Sequence, residues 1–302
     1  MRRVFGGVEG GGTKFKLLIG TDPHDIVAQA QIPTTTPDET LERVIAFFRR
    51  PDIELAAVGC ASFGPIDLDT RSPTYGCITT TPKPGWAYTN VVRTLGSELG
   101  VPVAWETDTA GAALGEYTWG AGRHIEVLVY VTVGTGIGGA VLINGRPVHG
   151  LLHAEMGHVL VPVADGDTFA GICPYHGQCL EGMASGPALR ARTGRPGETI
   201  APDDPIWDLE AAYLGAGLHQ IGYVLSPQKI IVGGGVPQTP HLLEKIRRQV
   251  TSLNHGYLAH PALSGGIRDY IVPPGLGADA GVIGALELAR QSLQSHADQV
   301  RP

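Results

Sequence analysis

The sequence predicts an α/β protein built as two domains, on three observations. The chain has 302 residues, more than one core of ordinary size needs and enough for two. A strand, glycine-rich turn, strand pattern occurs twice, at "VEGGGTKFKLLIG" (8–20) and "YVTVGTGIGGAVLING" (130–145), with apolar and β-branched residues on both sides of the glycines. Elsewhere an apolar run passes into a helical pattern, as in "VPVAWETDTAGAALGEYTWG" and "SPQKIIVGGGVPQTPHLLEKIRRQV". Two domains imply a cleft, where ligands are expected.

The hairpins come first. Glycine supplies 43 residues, about twice ordinary usage, and gathers in short turns rather than in a linker. Such a turn can present successive backbone N–H groups to an anion, because glycine tolerates positive φ and removes the Cβ that would keep phosphate oxygens away. The order Gly12, Thr13, Lys14 followed by a strand excludes a P-loop, which needs Gly-Lys-Ser/Thr opening a helix. Next, Val101–Trp105 alternate as a strand and Ala110–Tyr117 read as a small-residue helix, which puts Thr107, Asp108 and Thr109 at the junction. From the local sequence Asp108 is equally a helix N-cap and a reactive carboxylate. Farther on, Lys229–Val232 read as a buried strand ending at Gly233, Gly234 and Gly235, where bare backbone can cover a nucleotide base or ribose. In the last apolar stretch, Pro273–Ala289, Asp279 would begin another small-residue helix.

Between these elements lies "HVLVPVADGDTFAGICPYHGQCLEG" (158–182), which reads as a metal site. Cys173, His176 and Cys179 fall at i, i+3 and i+6 in a tight turn, and His158 upstream completes a Cys2His2 set suited to tetrahedral zinc. A Cys173–Cys179 disulfide would leave both histidines unexplained and would need an oxidising compartment. Cys60 and Cys77 have no partner spacing and read as small buried residues. A net charge of −7 without a basic run offers nucleic acid and anionic membrane no footprint. No apolar run reaches spanning length, and Gly6, Gly7 and Glu9 break any signal-peptide core, so a cytoplasmic protein is expected.

In chain order, EGGGTK, SFGPID (62–67), ETDTAGAALGE (106–116), VGTGIGG, HAEMGH (153–158), CPYHGQCLEG and VGGG together resemble the ROK family of sugar kinases, most closely its bacterial fructokinases. The motifs run from residue 9 to about residue 284, nearly the whole chain. The resemblance implies an actin-like, ribonuclease-H-like ATPase fold of two α/β domains around a central cleft, acting as a homodimer. The first domain would span 1–118 with a returning helix at 285–302, and the second 119–284, carrying the zinc loop. It also implies an ATP-dependent hexose kinase using Mg²⁺ and Zn²⁺. Asp108 would accept the sugar hydroxyl proton. Gly11, Gly12 and Thr13 would form one phosphate turn and Gly134, Thr135 and Gly136 the other, with Pro187 and Gly233, Gly234 and Gly235 contacting nucleotide. Thr107, Glu155, His158 and Glu181 would contact sugar, and His158, Cys173, His176 and Cys179 would hold zinc.

Three departures refine this. Many ROK kinases carry three cysteines and one histidine in a longer zinc loop, whereas His176 here replaces a cysteine in a shorter loop, the fructokinase-like form. Thr107 stands where Asn commonly precedes the catalytic Asp, and Glu9 stands where Asp is common, still able to reach magnesium-bound water. With "ITTTPKPGW" (78–86) as a fructokinase-like sugar-side loop, D-fructose phosphorylated on its 6-hydroxyl is the expected substrate, mannose the second. Rival classes fit less well. A ROK-type repressor would need a helix-turn-helix before the first strand. A metalloprotease would need H-E-x-x-H, which HAEMGH does not supply; His153 reads as structural. An actin-like ATPase without a small substrate would have no use for Glu155 and Glu181 beside a metal.

Overall fold

A computed structural model describes the backbone of residues 1–299 and the side chains of residues 1–293. The chain divides into two compact units, one formed by 1–123, 149–153 and the segment from 279 onward, the other by 124–148 and 154–278. The expected boundaries at 118 and 284 therefore shift by a few residues. A further correction is that 149–153, expected inside the second domain, belongs to the first unit. Of the returning helix expected over 285–302, residues 300–302 lie outside the described residues.

The first unit contains β1 (Arg2–Gly10), β2 (Lys14–Gly20), β3 (Ile26–Pro33), α1 (Pro37–Phe48), β4 (Ile53–Ser62), α2 (Val91–Leu99), β5 (Val103–Thr107) and α3 (Asp108–Trp119). The second contains β6 (Val127–Val133), β7 (Ile137–Ile143), β8 (Arg146–Pro147), α4 (Leu180–Ala184), α5 (Gly186–Thr193), α6 (Ile206–Leu225), β9 (Lys229–Gly233), α7 (Leu242–Asn254), α8 (Ile267–Tyr270) and β10 (Ile271–Val272). The last helix, α9 (Ala280–Gln299), returns to the first unit.

Each unit is organised by one sheet, and the two sheets share a topology. The orders are β3-β2-β1-β4-β5 and, in the other unit, β8-β7-β6-β9-β10. In both, the hairpin strands pair antiparallel and the strands beyond them pair parallel. The repeated glycine hairpin is thus the opening hairpin of each sheet, β1–β2 and β6–β7.

In the first unit, Val4, Val8, Phe15, Leu17 and Ile19 pack with Leu41, Val44 and Phe48 of α1. Helix α1 starts where Thr36 accepts a hydrogen bond from Glu39 N, with Pro37 supplying the fixed φ of a first helical turn. On the opposite sheet face the helices come unusually close. A Cβ on Gly7 would lie 2.7 Å from Val282 O, and one on Gly59 1.9 Å from Ala285 O, both in α9. Helices α3 and α9 meet in the same way, since a Cβ on Gly284 would fall 1.7 Å from Gly111 O. The second unit buries Val129, Val131, Ile230 and Val232 of its sheet against Trp207, Leu214 and Leu218 of α6 and Ile246 of α7.

Glycine to alanine inside a helix normally stabilises by up to about 1 kcal/mol. At Gly284 the clash is with main-chain atoms that cannot swing aside, and overpacking of this kind costs about 1–3 kcal/mol or more, so the clash wins. Gly284→Ala is expected to lower stability by about 2 kcal/mol, read as a lower urea midpoint; an unchanged or higher midpoint would refute the close contact.

Candidate active site

Several sequence-derived candidates sit in the first unit around the ends of β1 and β5. The first turn, Gly11, Gly12 and Thr13, closes with a hydrogen bond from Gly11 N to Lys14 O at 3.0 Å. Gly11 and Gly12 do not take positive φ, so the expected need for left-handed backbone is corrected. What glycine supplies here is open space: a Cβ on Gly12 would meet nothing within 4 Å. Close by along β1, Glu9 is half-buried, and this burial raises its carboxyl above the usual range; its Oε2 is buried and has no hydrogen-bond partner. Lys16 Nζ lies 3.7 Å from that oxygen and 3.2 Å from Asp279 Oδ1. Asp279 precedes α9 as expected, in a 3-10 turn.

At the β5–α3 junction the ambiguity over Asp108 resolves against capping. The N-cap is Thr107, whose hydroxyl accepts from Ala110 N at 3.1 Å, while Asp108 is the first helical residue and its Oδ1 accepts from Thr109 N at 2.8 Å. The helix start places the Asp108 carboxylate at the positive end of the α3 dipole, where negative charge is favoured. The expected sugar role of Thr107 must therefore share a hydroxyl that already caps α3.

Beneath this junction is a pair that sequence reasoning missed. Glu106 is buried, its Oε1 accepts from Thr107 N at 2.8 Å, and its Oε2 lies 2.7 Å from His149 Nε2. The hydrogen bond to Glu106 raises the His149 pKa, and the carboxylate charge adds to it against partial burial. His153 Nε2 accepts from Ile66 N at 3.2 Å, so 149–153 is anchored at both ends, and the structural reading of His153 gains a named contact. A Glu two residues before Asp108 is the available signal; its partner, 43 residues later, is not readable from spacing.

In the second unit the other candidates converge on the carboxyl ends of β6 and β9. Gly134, Thr135 and Gly136 form the second turn, closed by Gly134 N to Gly136 O at 2.9 Å. Gly186 N, one residue before Pro187 at the start of α5, donates to Gly134 O at 2.8 Å. Gly234 has φ +94°, and a Cβ there would lie 2.2 Å from Val133 O, so the glycine triplet lies against the last residue of β6. Ile137 N donates to Glu181 Oε2 at 2.9 Å; Glu181, expected to touch sugar, thus has one oxygen on the second turn. Glu155 is exposed, immediately before the 3-10 turn Met156–His158.

That turn delivers His158 to the cysteines. A Cβ on Gly157 would come within 1.8 Å of Ile137 O, so only glycine lets this segment press against β7. His158 Nδ1 lies 3.8 Å from Cys173 Sγ and 3.5 Å from Cys179 Sγ, and Cys173 Sγ lies 3.6 Å from His176 Nδ1. One ligand atom from each of the four lies within 4.8 Å of every other. Both cysteines are free thiols, not the disulfide weighed against a metal, and the cluster could hold one cation. Gly177 N donates to Cys173 O, and Leu180 N to Val159 O, both at 2.9 Å, which fixes the loop between the thiols.

The stretch leading into Cys173 is held by a second buried pair. Arg192 of α5 grips Asp167 with both terminal nitrogens at 2.9 Å and lies 4.0 Å from the centre of the Phe169 ring. Tyr213 of α6 donates to the same carboxylate. Arg192, and then Tyr213 against partial burial, hold the Asp167 carboxyl down at about 2.

Matched against known proteins, the chain belongs to the ROK family, whose model covers residues 5–292. It is 41% identical to the fructokinase of Streptococcus mutans, over 96% of this chain and 99% of that one. It is 42% identical to the fructokinase of Zymomonas mobilis, over 95% and 97%. Among solved structures, a ROK family glucokinase from Streptomyces griseus in complex with glucose and AMPPNP superposes with a TM-score of 0.77 at 27% identity, over 95% of this chain and 99% of that one. The fold is the actin-like ATPase fold of ROK kinases, and no helix among the described residues is long and apolar enough to cross a membrane.

The Glu106–His149 pair gives a pH prediction. A raised histidine pKa means a stabilisation fully present below the unfolded value, about 6.5, and lost as pH rises through the folded value. Wild-type melting temperature should therefore carry a decline above pH 6.5 that Glu106→Gln lacks. Parallel profiles for the two proteins would refute the charged pair.

Proposed function

We propose that the protein is an ATP-dependent fructokinase that transfers the γ-phosphoryl of ATP to the 6-hydroxyl of D-fructose, with mannose as a secondary sugar, and that it works as a cytoplasmic homodimer. The observation that carries this reading is the relation to fructokinases at 41–42% identity over nearly the whole chain, together with a junction carboxylate and two glycine turns whose geometry suits the reaction. In the transfer, the bond from O6 to Pγ forms as the bond from Pγ to the ADP oxygen breaks, and the O6 proton passes to Asp108. The protein's part is positioning and electrostatic stabilisation. The turns at 11–13 and 134–136 offer backbone N–H groups to phosphate oxygens, and Pro187 and Gly233, Gly234 and Gly235 border the nucleotide. Glu155, His158, Glu181 and Thr107 are assigned to the sugar.

Two metals belong to the reading. Glu9, half-buried with its Oε2 buried and lacking a hydrogen-bond partner, fits a role beside Mg²⁺, which when bound neutralises phosphate charge. His158, Cys173, His176 and Cys179 fit zinc: with ordinary zinc–sulfur and zinc–nitrogen bonds a tetrahedron has S–N edges of about 3.6 Å, and the edges found are 3.8, 3.6 and 3.5 Å. Four protein ligands leave no open position, so the zinc is structural, holding the loop from which Glu181 issues and fixing the ring of His158.

Initial rates with Mg-ATP and matched fructose, mannose, glucose and N-acetylglucosamine test the substrate. Fructose should give the highest kcat/KM, and Asp108→Asn, in the same assay, should fall at least about a hundredfold while still folding and binding ATP. A higher kcat/KM for glucose or N-acetylglucosamine would overturn the fructokinase assignment, and near-normal turnover of the variant would remove Asp108 as base.

For zinc, elemental analysis should find about one ion per chain in the wild type and none in Cys179→Ala, whose sugar affinity and melting temperature both drop. A metal-free wild type with full sugar affinity would refute the structural role.

A further inference from the structure

The carbonyls of the first turn are all held from outside it. Gly11 O accepts from Thr34 Oγ1 at 2.7 Å, Thr13 O accepts from Thr34 N at 3.0 Å, and Gly12 O accepts from Lys83 Nζ at 2.6 Å. The N–H groups of Gly12 and Thr13, by contrast, make no hydrogen bond among the described residues. A trans peptide is planar, with C=O and N–H on opposite sides. Pinning Gly11 O therefore aims Gly12 N–H away from Thr34, and pinning Gly12 O aims Thr13 N–H away from Lys83. Two consecutive amides are left facing outward, the form of a backbone anion nest.

Lys83 reaches the turn from a fixed base. It belongs to the TTPKPGW stretch, and three residues on, Trp86 is fully buried, donates from Nε1 to Thr35 O at 2.9 Å, and packs its ring 5.5 Å from those of Phe15 and Phe63. Trp86 N also donates to Lys83 O at 3.2 Å. Of the other lysines near the turn, Lys16 is engaged by Glu9 and Asp279, and Lys14 is exposed on β2. An ammonium on a carbonyl is a charge-assisted hydrogen bond, stronger than a neutral donor would make, and it also polarises the amide behind that carbonyl.

We propose that Lys83 is a positioning residue for nucleotide phosphate: it pins the Gly12 carbonyl so that Thr13 N–H is preorganised toward a phosphate oxygen. The proposal rests on the reading of the 11–13 turn as a phosphate contact. The sequence attaches no role to Lys83 and places the loop that carries it on the sugar side; the inferred effect is on nucleotide.

Calorimetric titration separates these. Mg-AMPPNP and fructose are titrated separately into wild type, Lys83→Met and Lys83→Arg, with melting temperatures measured alongside. Lys83→Met is expected to bind Mg-AMPPNP about tenfold more weakly, in line with the loss of one charge-assisted hydrogen bond. Its fructose Kd and melting temperature should match wild type, and Lys83→Arg should recover most of the nucleotide affinity. Wild-type nucleotide affinity in Lys83→Met would overturn the proposal, as would equal losses for sugar and nucleotide with a lowered melting temperature, or an Arg variant no better than Met. If wild type itself bound no Mg-AMPPNP, the phosphate-turn reading and this proposal would fall together, whereas normal wild-type binding with an indifferent Lys83→Met fails the proposal alone.

Discussion

A turn built from glycine has no side chains with which to hold itself, so its orientation must be imposed by neighbours, and the functional parts of this protein are arranged around that constraint. In the first unit Thr34 and Lys83 supply the donors. In the second, Gly186 N and the Glu181 carboxylate hold the turn from its two ends. The two sheets have the same strand order, yet the clamps differ in chemistry: one turn has its carbonyls gripped, the other has one carbonyl and one amide gripped. A bare backbone turn combined with external anchors keeps its amides accessible and its orientation fixed, which is the condition for electrostatic stabilisation without reorganisation if, as proposed, phosphate binds there.

Glycine has a second use that is purely steric. At Gly284, Gly59 and Gly157 a Cβ would fall within 2 Å of a main-chain carbonyl oxygen. Those contacts bring α9 against α3 and β4, and bring the 156–158 turn against β7. The first contact supports the helix whose opening residue is Asp108. The second sets the position of His158 relative to the cysteines. Burial of apolar surface stabilises both units, but these close approaches decide which polar side chains end up together.

The elements with local signals were legible in the sequence. The two hairpins, the strand before the glycine triplet and the helix after Asp108 announced themselves by alternation, small-residue runs and glycine clusters, and the Cys2His2 group by its spacing. What escaped was set by contacts distant in sequence. The docking of 149–153 on the first unit depends on Glu106 and Ile66, and nothing in HGLLH points to either. Asp108 could not be separated from its neighbour as cap, because Thr and Asp are both good N-caps and which residue occupies that position turns on a one-residue shift in where β5 ends. The premise that the turn glycines need positive φ also failed, since glycine frequency cannot distinguish left-handed backbone from open space.

The Cys2His2 loop and the second turn are physically connected. Cys179 is fully buried, and its sulfur accepts from Gly182 N as the cap of α4; Glu181, two residues along, reaches Ile137 N at the end of the second turn. Burial, above all, pushes the Cys179 thiol up. A cation held by the cluster would keep that sulfur as a thiolate, a charged acceptor at a helix N-terminus, where negative charge is favoured. The sulfur is thus joined through the start of α4 and Glu181 to Ile137 N, the first amide after the second turn. The Cys2His2 group and the second glycine turn therefore share one short stretch of structure, a cysteine sulfur, a helix start and a carboxylate, so a change at either end is felt at the other.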